Sequence, residues 1–189
     1  MNDLEQSTLD LDLDGVTKEE PEVGPEETQQ FENAALIGGE KLRSSGYFVN
    51  IVRQAAPSTL EGGSPLVLVV EDDAGTAGVI DAILQKQGFS TRLAANLQET
   101  IRALKVEPAP NLVLLDILLP DANGFAILER LRRHPDFGRV PVVMLTSLSD
   151  PADVAKGLAL GASGYLSKPA RAQALVAALR GVLGLETQG

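Results

Sequence analysis

From Leu66 onward the chain alternates short apolar runs with stretches whose apolar residues recur every three or four positions, five of each in about 120 residues. The runs are Leu66 to Val70, Thr91 to Ala94, Leu112 to Leu115, Val142 to Leu145 and Gly164 to Leu166. Apolar runs of this length suit strands buried on both faces, as in a parallel sheet. The intervening patterns Ile80, Ile83, Leu84, then Leu97, Ile101, Leu104, and finally Leu175, Leu179, Val182, Leu183 each mark one face of a helix. Gly88 and Gly161 stand where helix ends call for a left-handed residue. Parallel neighbours need crossovers, and the crossovers are right-handed, so five such units place helices on both faces of one sheet. The expected fold class is α/β, a doubly wound sandwich with a five-stranded parallel sheet. In such sheets function gathers beyond the carboxyl ends of the strands.

Those ends carry a consistent chemistry. The first run leads into Glu71, Asp72 and Asp73, the third into Asp116, the fourth into Thr146 and Ser147, and the fifth into Lys168 and Pro169. Carboxylates gathered at one edge repel one another and are stable together with a cation, and an all-oxygen set suits Mg²⁺. A lysine and a hydroxyl facing that ion would bind an anion such as a phosphoryl group. Asp73 reads as a local helix-start residue rather than a ligand.

The segments VLVVEDD, LVLLDILLPDANG, VVMLTS and GYLSKP, in this order, resemble those of the receiver (CheY-like) domain of response regulators in two-component signal transduction. The resemblance covers residues 66 to about 184 and implies a (βα)5 flavodoxin-like fold. It implies that Asp116 is the phosphoacceptor, attacking phosphorus while a phosphohistidine leaves. It further implies that Asp72 ligates Mg²⁺ directly, Glu71 through water, Asp116 through a carboxylate oxygen and Leu118 through its backbone carbonyl. Lys168 would pair with the phosphoryl oxygens and Thr146 would donate its hydroxyl. Tyr165 matches the family's switch aromatic, which turns inward when Thr146 moves, and Lys168 to Pro169 would be a cis peptide. The residues two after the acceptor and two after the hydroxyl, which tune dephosphorylation in the family, are Leu118 and Leu148; two apolar side chains imply slow loss of the phosphoryl group. The partners implied are a sensor histidine kinase or histidine phosphotransfer protein upstream and an unidentified protein downstream. Such a protein catalyses only its own phosphorylation and dephosphorylation and is not an enzyme in the ordinary sense.

The resemblance also leaves departures. The transcription-factor subgroup that dimerises through the fourth helix, fifth strand and fifth helix commonly has acidic residues just before the switch aromatic, where Ser163 and Gly164 stand here. Ala170 follows Lys-Pro, where a large apolar residue is usual. A pseudo-receiver acting as a binding module is disfavoured, because each expected pocket residue is present. A phosphohydrolase of the haloacid dehalogenase kind needs a second Asp two residues after the nucleophile, and position 118 is Leu. A dinucleotide site would need a glycine-rich turn where Glu71, Asp72 and Asp73 stand. His134 is the only histidine and precedes a proline in a basic loop, which does not suit a phosphotransfer histidine.

Residues 1–64 hold 13 acidic and 4 basic residues, whereas residues 65–189 hold 13 and 12. This gives an acidic, largely disordered segment over residues 1–45, a short apolar segment and linker over 46–64, and the folded domain over 65–185. Asp10, Asp12, Asp14 and Gly15 copy the opening of a calcium loop, but its twelfth position is Pro21 and the likeness ends there. Tyr47 to Val52 is an apolar run that reads as a strand or as a segment that docks on a sheet edge. The acidic balance argues against direct contact with nucleic acid. No run is long enough to insert in a membrane and there is no cysteine, which together fit a cytoplasmic protein.

Overall fold

The computed structural model describes residue 13 and residues 15–50, 63–147 and 150–185. Five strands fall on the five apolar runs: β2 (Leu66–Val70), β3 (Ser90–Ala94), β4 (Leu112–Asp116), β5 (Val142–Thr146) and β6 (Gly164–Ser167). They pair in parallel in the order β6-β5-β4-β2-β3. Residues 66–70, 112–116 and 142–146 are buried throughout, as continuous apolar runs require. Alternate residues serve opposite faces. Val67 and Val69 meet Ile80 and Leu84 of α3 (Ala74–Lys86) and Leu175 and Leu179 of α7 (Ala172–Leu183). Leu68 and Val70 face the layer formed by α4 (Leu97–Leu104), α5 (Gly124–Arg133) and α6 (Pro151–Leu160).

The helices begin and end on local chemistry. Asp73, Asn96, Asn123 and Asp150 cap α3, α4, α5 and α6 by accepting backbone N–H bonds in the first turn. Gly161 ends α6 at φ 102°, a left-handed conformation that an L side chain would strain.

The amino-terminal part corrects two expectations. Residues 25–44 are not disordered: they form α1 (Pro25–Gln29) and α2 (Glu32–Ser44), and α2 packs across α6. Leu13, Val16, Ala35 and Leu42 are buried in the same core as α5 and α6. The acidic residues of this part lie largely on its outer side, so a strongly charged composition coexists with a buried apolar stripe. The sheet also has six strands rather than five. β1 (Tyr47–Val49) lies antiparallel on the edge of β6, with Tyr47 opposite Leu166, Phe48 opposite Tyr165 and Val49 opposite Gly164. The apolar run thus adds to a sheet edge, but the edge belongs to its own chain. Residues 51–62, Leu148, and the positions Asp10, Asp12 and Asp14 lie outside the described residues.

Candidate functional site

The parallel strands deliver their terminal residues to one rim, where the strand order reverses between β2 and β4. Asp116 ends β4 and Thr146 ends β5, and both side chains are buried. Glu71 follows β2 and is 2% exposed, whereas its neighbour Asp72 is exposed. Lys168 follows β6 across a cis peptide to Pro169. Its backbone N–H donates to the Thr146 carbonyl at 2.8 Å, which fixes the loop after β6 against the end of β5.

Lys168 binds the two buried carboxylates together. Its Nζ stands 2.5 Å from Asp116 Oδ2 and 2.7 Å from Glu71 Oε2. Burial pushes the Glu71 carboxyl up from its ordinary value, and the nearby Asp116 charge adds to this, while the bond from Lys168 opposes both. Burial works to lower the Lys168 ammonium, but the hydrogen bonds and charges of Asp116 and Glu71 outweigh it and raise the pKa. The other Asp116 oxygen, Oδ1, accepts from the Leu118 N–H at 3.2 Å.

Carboxylate oxygens of Glu71, Asp72 and Asp116 lie within 4.8 Å of one another. Three such oxygens form a donor set that fits a hard divalent cation such as Mg²⁺. Asp73 stands outside this set. Its carboxylate accepts from Thr76 N–H at 2.7 Å as the cap of α3, and that bond holds its pKa below the ordinary value.

Tyr165 lies with its ring buried, 1% exposed, and its hydroxyl donates toward the carbonyls of Asp153 and Val154 at 3.2 and 3.3 Å. Burial pushes the phenol's pKa up. Gly157 makes this possible, because a Cβ there would stand 1.7 Å from the Tyr165 hydroxyl oxygen. Leu118, at 67% exposure, lies on the outer surface two residues after Asp116. A cleft of about 630 Å³ opens beside Lys168, between Thr76 and Val79 of α3 and the Pro169–Ala170 loop.

Two residues that close the LVLLDILLPDANG segment, without a role of their own in the sequence reading, shape the site. A Cβ on Gly124 would stand 2.2 Å from the Asp116 carbonyl oxygen, so α5 starts in contact with the backbone of Asp116 only because this residue is glycine. Asn123 caps that helix and donates its N–H to the Thr17 carbonyl at 3.0 Å, a contact from a distant part of the chain. The Asn-Gly pair is a turn signal legible in the sequence, but Thr17 carries none.

The model of the response regulator receiver domain matches residues 67–180. The "DNA-binding response regulator MtrA" of Mycolicibacterium paratuberculosis is 41% identical over 114 residues, which are 60% of this chain and 49% of that protein. The chain thus spans about half the length of the curated relatives it matches. Among solved structures, the signal receiver domain of a histidine kinase from Syntrophus aciditrophicus matches at 33% identity and TM-score 0.58, covering 64% of this chain and 91% of that one. Chemotaxis response regulator CheY4 of Vibrio cholerae matches at 27% identity and TM-score 0.60, covering 64% and 99%. The relatives overturn one expectation, that of no direct contact with nucleic acid. Net acidity describes a whole chain, whereas DNA contact depends on the local charge of one surface, and relatives sharing this receiver are named as DNA-binding regulators. With fold, rim residues and family model in agreement over the same stretch, this chain belongs to the response regulator receiver domain family.

Proposed function

We propose that Asp116 accepts a phosphoryl group from a phosphohistidine on a sensor histidine kinase or a histidine phosphotransfer protein. The observation that carries this is the single ammonium of Lys168 joined to both Asp116 and Glu71, beside the buried hydroxyl residue Thr146. A carboxylate oxygen of Asp116 forms the new P–O bond as the P–N bond breaks, and the departing imidazole keeps the electron pair. Lys168 leaves its contact with the carboxylate to pair with the phosphoryl oxygens, where an oriented cation stabilises the charge that develops. Thr146 donates its hydroxyl to the same group. Glu71, Asp72, Asp116 and the Leu118 carbonyl would hold Mg²⁺, whose contribution is to neutralise the negative charge of the acceptor and the phosphoryl oxygens.

In this reading the protein turns over no separate substrate, and Tyr165 reports the state of the site through α6. A cytoplasmic place of action belongs to this proposal, and among the described residues no helix is long and apolar enough to cross a membrane. The relatives named as DNA-binding regulators support an output that acts on nucleic acid. The test is exposure to acetyl phosphate with Mg²⁺, followed by intact-mass analysis. A base-labile phosphoryl adduct in the parent and none in Asp116→Asn is expected; equal labelling of Asp116→Asn would refute the assignment.

A further inference from the structure

Residue 13 and residues 15–50 are held against the domain by contacts that reach the acidic rim. β1 extends the sheet along β6 and places Phe48 opposite Tyr165. α2 packs across α6 and β6 so closely that a Cβ on Gly38 would stand 3.0 Å from the side chains of both Phe48 and Val154. A Cβ on Gly164 would meet the Phe48 carbonyl oxygen at 2.6 Å, so β6 is bare where β1 crosses it. Two carbonyls of the segment accept directly from rim loops. Gly46 accepts from the Ser167 N–H at 2.8 Å and the Ser167 hydroxyl at 3.1 Å, and Thr17 accepts from the Asn123 N–H. Ser167 is the residue before Lys168, and Asn123 is bridged to Leu118.

We infer that residues 13–50 are an intramolecular cover on α6, β6 and α7 whose grip is coupled to occupancy of Asp116. The inference rests on the phosphoacceptor reading. Lys168 Nζ is 2.5 Å from Asp116, too close for a phosphoryl group to lie between them, so loading displaces Lys168. Lys168 is joined directly to Ser167, and Ser167 is what holds the Gly46 carbonyl. A second route runs through side chains. Tyr165 binds the first-turn carbonyls of α6 at Asp153 and Val154, and the Val154 side chain supports α2 at Gly38. Among the described residues, the cover contributes Leu13, Val16, Ala35 and Leu42 as buried apolar residues. It has little core of its own and is held by the domain it covers, which is the character of a low-stability, separately opening unit. Because both events bias one equilibrium, coupling is reciprocal: loading loosens the cover, and loosening the cover favours loading.

The experiment uses the full chain with beryllium fluoride and Mg²⁺ as the phosphoryl mimic, read by hydrogen exchange and by equilibrium titration. Loading is expected to speed exchange at residues 32–50 by roughly 5- to 150-fold, the usual span of coupling between two sites, while β4 stays protected. Gly38→Val, which wedges α2 away from Phe48 and Val154, is expected to speed exchange at 32–50 without ligand and to tighten binding of the mimic by a comparable factor. Retained protection of β4 shows that this variant is folded. Saturation by the mimic with unchanged exchange at 32–50 overturns the coupling, and so does a loosened cover in Gly38→Val with unchanged affinity. Absence of any mimic binding, together with no acetyl phosphate adduct on Asp116, overturns the phosphoacceptor reading and the coupling with it.

Discussion

Leu42→Ala separates a packed α2 from a solvated tail. Leu42 is 3% exposed and lies in the core shared with α5 and α6. Truncating a buried leucine to alanine costs about 2–5 kcal/mol through lost transfer energy and the cavity left behind. The better helix propensity of alanine returns no more than about a few tenths of that. For a chain of 189 residues, each kcal/mol corresponds to about 2–4 °C in Tm. The loss is limited, however, by the free energy with which residues 13–50 dock. Once the variant removes that much, the segment detaches and the receiver melts as it would without it. The assay is therefore thermal unfolding together with hydrogen exchange at α2 and β1. Leu36→Ala on the same helix is the control, because Leu36 is 59% exposed and its truncation is expected to stay within about ±0.5 kcal/mol. The expected result is a lowered Tm or a loss of protection at 32–50 in Leu42→Ala alone. If both variants match the parent in both measurements, α2 is not packed on the domain and the reasoning fails.

Gly124→Ala is expected to cost about 1–3 kcal/mol by overpacking, since its Cβ would stand 2.2 Å from the Asp116 carbonyl oxygen, and to slow acetyl phosphate labelling; urea unfolding and mass analysis check both. Burial, with the charges of Asp150 and Glu20, raises the Asp153 carboxyl above its ordinary pKa against the pull of Lys156. The unfolded chain therefore releases this proton first, and stability is lost as pH rises from the ordinary aspartate value through the raised folded one. Asp153→Asn is expected to raise Tm near neutral pH and to lose that advantage in acid; an equal gain at both pH values would contradict this. Leu118→Asn combined with Leu148→Glu is expected to shorten the life of the Asp116 adduct once acetyl phosphate is removed, because polar side chains can orient an attacking water where leucine cannot. Equal decay in parent and variant would remove these leucines from control of that step.

How much of the molecule is legible in one dimension depends on how local its causes are. The strands β2, β4 and β5 follow from runs buried on both faces, and such runs are recognisable without knowledge of their neighbours. Asp116, Thr146 and Lys168 follow as well, because strand polarity alone sends their residues to one rim. Caps such as Asp73 and Asp150 are local too, each accepting a hydrogen bond within three residues of itself.

The amino-terminal cover is different. α2 contains Gly38 and Gly39, and glycine lowers helix propensity by about 1 kcal/mol relative to alanine, so this acidic stretch reads in sequence as disordered rather than helical. What stabilises it is the contact of Gly38 with Phe48 and Val154, which exists only once α6 is in place. β1 is three residues long and gains its hydrogen bonds from β6, more than a hundred residues along the chain. The sequence by itself determined the parallel sheet and the chemistry of its rim, since both arise from strand burial and polarity. Only the tertiary structure decided that residues 13–50 close the sheet edge, because that outcome depends on close approach between distant segments and not on the preference of either one.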